Sequence, residues 1–240
     1  MKRMIMGLIV AGAVCAQAAQ DNAGKHLFIL SGQSNMVKID PAESFTPVVH
    51  DAFGAENVLV IKDASGGKPI RMWYRTPESD QEGKATGELY ERLMNKVKPV
   101  VENQHVATVT FVWLQGEADA NRKHMGGEEY ADNLRGLIRQ LEKDLGRDDL
   151  HVVIGRINDY GIEKPEKCPH WTLVRDAQVE VAESRPRTAW GNSDDLKDVG
   201  GWRGKRTKTI LQKHQKGRII LGQRFAEQAI ELIRRIEDGG

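Results

Sequence analysis

His26-Leu27-Phe28-Ile29-Leu30-Ser31-Gly32-Gln33-Ser34-Asn35-Met36 is the stretch whose reading decides the fold. Residues 26–30 form a short apolar run of the kind that is buried as a strand on both faces. Gly32 then permits a sharp turn, and Ser34 follows it into the crevice at the carboxyl edge of a sheet. A hydroxyl at that position is well placed to be a nucleophile. Asn35 and the backbone N–H after the serine can face a developing oxyanion. The same pentapeptide also fits a plain strand-to-helix turn with a capping serine.

Working outward, strands and helices alternate. Residues 57–62, 106–113, 150–157 and 187–190 read as further strands, rich in β-branched and apolar side chains. Between them, Leu89, Leu93, Val97 and Val100 recur at helical spacing. So do Leu134, Leu137, Ile138, Leu141 and Leu145, and then Trp171, Val174, Ala177, Gln178 and Val181. Residues 220–236 close the chain as a helix. This order predicts an α/β fold: a three-layer α/β/α sandwich around a central, mainly parallel sheet. Ligands of such sheets bind beyond the strand carboxyl ends. Ser34, the 63–70 loop and the 115–119 loop all fall there.

The chain has 240 residues and a net charge of +1. That suits one domain with a full sheet, and no basic block calls for nucleic acid. Met1-Lys2-Arg3, the apolar run 4–14 and Ala16-Gln17-Ala18 fit a signal peptide over 1–18, with the domain over 19–240. A secreted or periplasmic protein is expected, with no membrane partner after cleavage. Lipid attachment at Cys15 fits less well, because Val14 stands where a small residue is wanted. Cleavage leaves Cys168 as the one thiol, and no Cys or His spacing resembles a metal-ligand set.

Two further loops carry candidate chemistry. Asp63-Ala64-Ser65-Gly66-Gly67-Lys68-Pro69-Ile70 offers glycine N–H groups that can approach a reacting centre, with Trp73 shortly after. Trp113-Leu114-Gln115-Gly116-Glu117-Ala118-Asp119 ends the third strand. There Gln115 has a side-chain N–H₂ to offer an oxyanion, and Glu117 is an acid able to orient an imidazole. Plain turns and acids at a helix N-terminus are the competing readings.

Together these segments resemble the SGNH hydrolase superfamily, in its sialate O-acetylesterase and acetylxylan-esterase branch (the carbohydrate esterase family 6 type). That group carries a Gly-Gln-Ser-Asn-Met block, a Gly-Gly block leading to a Trp, and a Gln-Gly-Glu-x-Asp block, in this order. Trp171 to Gln178, Asp194-Asp195-Leu196-x-Asp198 and Leu221-Gly222-x-Arg224-Phe225-Ala226 are also similar to the family. The resemblance spans about residues 26–231 and implies serine esterase chemistry without a cofactor or metal, on an acetylated glycan or another small acyl ester. It implies Ser34 as nucleophile, with Gly66 and Gln115 as oxyanion donors. Gln33, Asn35, Gly67, Trp73 and Asp195 are expected to line the substrate. Trp202 is a second candidate platform.

The family's Asp-x-x-His block is degenerate here, with Thr209 and Gln212 in its register. His214, two residues on, is the candidate base, and Glu117 or Asp198 the candidate acid. The alternative is a catalytically impaired relative that binds acylated glycans. A lipase-like or peptidase-like hydrolase is less well supported, because the chain lacks Gly-x-Ser-x-Gly.

Overall fold

In the computed structural model, residues 24–74, 87–198 and 215–237 are described. Five strands form one sheet: β1 (Lys25–Gly32), β2 (Val58–Ala64), β3 (Val106–Leu114), β4 (His151–Gly155) and β5 (Thr188–Gly191). Their order is β2-β1-β3-β4-β5, and every pairing is parallel. Seven α-helices accompany them among the described residues: α1 (Ser34–Lys38), α2 (Phe45–Phe53), α3 (Glu88–Asn103), α4 (Glu117–Ala120), α5 (Tyr130–Leu145), α6 (Trp171–Glu183) and α7 (Gln215–Glu237). The expected three-layer architecture is therefore present, with a wholly parallel sheet.

The apolar runs are continuous because both faces of the sheet are covered. The pleat sends alternate residues to opposite cores. From β1, Leu27 and Ile29 enter the core beneath α3, α5 and α6, whereas Phe28 and Leu30 enter the one beneath α2 and α7. From β3, Phe111 and Trp113 join the first core, while Val112 and Leu114 join the second. A one-residue slip in either strand would exchange these sets, so the register is strongly specified.

One helix goes beyond the sequence expectation. Helix α2 is short and carries Pro47 in its first turn, where a missing N–H costs nothing. Its Phe45 and Val49 are fully buried, and Phe45 meets Phe28 edge-on with ring centroids 5.3 Å apart.

The strand order fixes where the chemistry sits. The chain leaves β1 toward β2 on one side and places β3 on the other, so the winding reverses between β1 and β3. A crevice opens at the carboxyl end of such a switch point. The three loops that leave β1, β2 and β3 converge there, bringing Ser34, Gly66 and Gln115 to one edge.

Candidate active site

Ser34 is the first residue of α1, two residues past the end of β1, and is half-buried. Gly32 makes this entry possible. Its φ is +144°, and a Cβ there would stand 2.0 Å from the Leu114 carbonyl oxygen of β3. Any side chain would drive β1 and β3 apart at the point where the turn begins. The Gln33 N–H donates to that same Leu114 carbonyl at 2.9 Å, so the serine turn is tied directly to β3.

The loop after β2 reaches the serine from the other side. The Ser65 N–H donates to the Gly32 carbonyl at 2.9 Å. A Cβ on Gly66 would lie 3.8 Å from the Ser34 Cβ, with no other heavy atom inside 4 Å. Gly66 is thus the loop residue against the serine. Gly67, with φ +67°, has open space around its own Cβ position and serves the turn.

Gln115 occupies a different place from the one expected. Its side chain is fully buried. Its Nε2 donates to the Lys68 carbonyl (3.1 Å), to Gln33 Oε1 (3.2 Å) and to Asp119 Oδ2 (2.5 Å). The Lys68 carbonyl accepts only, which fixes the amide orientation. With both N–H bonds engaged, no donor remains for an oxyanion. Gln115 is a hub that joins three loops.

Gln33 and Asn35 are likewise interior groups and not a substrate lining. Gln33 is 3% exposed, and its Oε1 accepts from the Gln115 side chain and from the Ala118 N–H at 3.1 Å, which caps α4. Asn35 is 7% exposed and donates from Nδ2 to Glu117 Oε1 at 2.5 Å. Trp73, expected as a sugar platform, is fully buried and meets Trp113 edge-on at 5.1 Å. It belongs to the core beneath α3, α5 and α6.

The two acids of the 115–119 block differ from ordinary surface carboxylates. Burial pushes the Glu117 carboxyl above its usual range, with the Asn35 hydrogen bond opposing. Its Oε2 is closed to solvent and has no hydrogen-bond partner among the described residues. Asp119 is 2% exposed. Burial pushes it up to about 7, against hydrogen bonds from Gln115 and the Ile70 N–H. Asp119 also lines a cavity of about 120 Å³ with Arg71, His124 and Glu129. Burial and the nearby Arg71 charge hold the His124 imidazolium below its usual range.

The acidic segment after β5 is built from ion pairs. Arg224 of α7 grips Asp195 with two hydrogen bonds of 2.7 and 2.6 Å, and these hold the Asp195 carboxyl below its usual range. Asp195 thus braces α7. Arg175 of α6 makes a similar fork to Asp194, at 2.9 Å to each oxygen. Gln178 donates to the Gln115 carbonyl at 2.7 Å and accepts from the Ile157 N–H at 2.9 Å. The motif residues of α6 therefore support the 115–119 loop from behind.

His214, Thr209, Gln212 and Trp202 lie outside the described residues, as does the 1–18 segment. Among the described residues no group of three or more His, Cys, Asp or Glu side chains is placed to hold a metal ion. No described helix is long and apolar enough to cross a membrane.

Comparison with known proteins bears on this geometry. The family model described as carbohydrate esterase, sialic acid-specific acetylesterase matches residues 37–231. No curated protein matches the chain. Among solved structures, an Arabidopsis thaliana protein is similar with a TM-score of 0.63 at 20% identity, covering 87% of this chain and 98% of that one. A carbohydrate acetylesterase from Xanthomonas citri is similar with a TM-score of 0.59 at 16% identity, over 87% of this chain and 57% of that one. A catalytic mutant of an acetylxylan esterase from Geobacillus stearothermophilus gives 0.54 at 13% identity, over 85% and 93%. At these identities the likeness is one of fold.

Proposed function

The chain belongs to the carbohydrate esterase, sialic acid-specific acetylesterase family, and from that premise we propose that it is a serine esterase removing O-acetyl groups from carbohydrates. The observation that carries the reading is the approach of Gly66 to Ser34 at the switch point of the sheet. No described hydrogen bond uses the Gly66 N–H. It can therefore face the oxygen of an ester bound at Ser34.

In the proposed reaction, Ser34 Oγ attacks the acetyl carbonyl carbon while a base takes the hydroxyl proton. The carbonyl oxygen becomes an oxyanion held by the Ser34 and Gly66 N–H groups. Collapse breaks the ester bond, and the base returns its proton to the departing sugar hydroxyl. Water then hydrolyses the acetyl-serine by the same route, releasing acetate. His214 is the proposed base. Glu117 is the proposed acid, and its Oε2, unpartnered among the described residues, is the proposed acceptor for an imidazole N–H. The buried Glu117 carboxylate gains from such a partner, because a neighbouring imidazolium favours its charged form. The proposed setting is outside the cytoplasm, on the strength of residues 1–18.

Hydrolysis of p-nitrophenyl acetate by the mature protein tests the reading. Ser34→Ala is expected to lose about 10³-fold or more in kcat/KM. His214→Ala should lose a similar amount. Turnover equal in the protein and in Ser34→Ala overturns the esterase reading. Glycan binding without turnover, unaffected by Ser34→Ala, would support the impaired, glycan-binding alternative that the Thr209/Gln212 register raises.

A further inference from the structure

We infer that Asp119 is a positioning residue that sets the Gly66 loop against Ser34, acting as a hydrogen-bond acceptor through its Oδ2 atom. The inference rests on the reading of Ser34 as nucleophile and Gly66 as oxyanion donor. It adds a residue with no place in that chemistry.

The argument starts from the loop itself. Residues 65–70 leave β2 and return to a single turn of 3-10 helix at Ile70–Met72. Two anchors hold this excursion. At its start, the Ser65 N–H reaches the Gly32 carbonyl at 2.9 Å. At its far end, the Ile70 N–H donates to Asp119 Oδ2 at 2.9 Å. Between them, the Lys68 carbonyl accepts from Gln115 Nε2 at 3.1 Å, and that nitrogen also donates to Asp119 Oδ2. A single carboxylate oxygen therefore gathers the loop end and the hub amide. The hub amide in turn holds Gln33, the residue before the serine.

The chain of contacts is continuous: Ile70, Asp119, Gln115, Gln33, Ser34. Gly66 lies between the two anchors. If the far anchor is lost, the loop keeps Ser65 and the Lys68 contact to a Gln115 amide that has itself lost its Asp119 partner, and the Gly66 N–H is less firmly fixed. Oxyanion donors work by being fixed before charge develops, so drift lowers kcat more than substrate binding.

Both protonation states of Asp119 support the contact. Its other oxygen, Oδ1, lies beneath Gly126, where a Cβ would come within 2.6 Å of it, and the residue borders the cavity of Arg71 and His124. A proton on Oδ1 leaves Oδ2 free to accept from both donors. An amide can take the same posture, with its oxygen in the place of Oδ2 and its NH₂ toward the cavity. The acceptor, and not the charge, is the working part.

The test compares Asp119→Leu and Asp119→Asn with the parent protein on p-nitrophenyl acetate, per folded molecule as judged by circular dichroism. Asp119→Leu is expected to lose roughly 10²-fold in kcat, the size of one oxyanion donor, with KM within about threefold. Asp119→Asn is expected to restore kcat to within about fivefold of the parent. A folded Asp119→Leu with unchanged kcat overturns the inference. So does an Asp119→Asn that falls as far as Asp119→Leu. Should Asp119→Leu not fold, Gln115→Met cuts the same chain at its next link and must show the same kcat loss; an unchanged kcat there is equally fatal. Amide hydrogen exchange over residues 64–70 gives a reading independent of turnover. Faster exchange in Asp119→Leu or Gln115→Met supports the inference, and unchanged exchange refutes it. If the parent protein does not hydrolyse the ester, the esterase reading fails by itself, and the exchange result still decides the role of Asp119.

Discussion

Two pairs of acids stand beyond the sheet, Glu117 with Asp119 after β3 and Asp194 with Asp195 after β5, and they are opposites in physical character. In the β3 pair Asp119 is buried and Glu117 partly so, neither carboxylate has a cation bound to it among the described residues, and burial raises both pKa values. The β5 pair is gripped by arginines, through Arg175 and Arg156 on Asp194 and Arg224 on Asp195. Asp195 is correspondingly held below its usual range. Burying an acid without a counter-charge costs stability. Within the pair, Glu117 Oε2 has no partner among the described residues, whereas Asp119 Oδ2 is already engaged by the Ile70 N–H and the Gln115 amide. The β5 pair, already satisfied, is occupied in tying α6 and α7 to the sheet edge.

The largest expected effect separates the two pairs by activity. If Glu117 supplies the acid for the base, Glu117→Gln keeps the contact with Asn35 but cannot stabilise an imidazolium. A loss of about 10³–10⁴-fold in kcat is expected, the scale known for an Asp-to-Asn change in a serine triad. Asp195→Asn in the same assay should stay within about twofold. A reversed ranking would move the acid role to the β5 side and break the comparison.

The next effect is on stability and its pH dependence. Asp119 is raised from 3.8 to about 7 in the fold, so the folded state binds its proton more tightly than the unfolded state does. Its contribution is fully present below the unfolded pKa and is lost as pH rises through 7. The shift corresponds to about 4 kcal/mol over the full range. Glu117 acts in the same direction. Urea unfolding at pH 5 and pH 8 should therefore show lower stability at pH 8. Asp119→Asn, which cannot ionise, should reduce that difference and be the more stable protein at pH 8. An unchanged slope in Asp119→Asn would show that the carboxylate is better solvated than its 2% exposure implies.

The same contrast explains what the sequence could disclose. The five strands and four long helices follow from side-chain periodicity, which is local and survives in any context. The placement of Ser34 and Gly66 in loops at the strand ends is legible because a glycine turn after an apolar run is also a local signal. Helix α2 carries Phe45, Val49 and Phe53 at i, i+4 and i+8, a usable signal carried by only nine residues. Gln115 could not be read correctly in the same way. Its partners, Gln33, Lys68 and Asp119, come from three loops, and only their convergence shows that its amide is already engaged. Trp73 beside a Gly-Gly loop looks the same whether it faces a sugar or the core, and Trp113 decides the matter. Asp119 carries no local signal beyond its place at the end of the 115–119 block. Its place four residues after Gln115, in the short helix that follows the strand, is the available hint of a shared role.

The smallest expected effect tests the other half of the comparison. The Asp195–Arg224 fork has good geometry, yet the Asp195 side chain is 56% exposed and that of Arg224 36%. Water competes for both groups and salt screens them. Arg224→Met keeps most of the aliphatic packing on α7 and removes the charge. A loss below about 1 kcal/mol is expected, shrinking further at high salt. Asp195→Asn should lose no more, and the double variant should lose little beyond the larger single one, because the two residues share one interaction. If Arg224→Met costs several kcal/mol instead, the β5 pair would be anchoring α7 as firmly as the buried network anchors the serine. The two acidic pairs would then differ in charge state alone and not in structural weight.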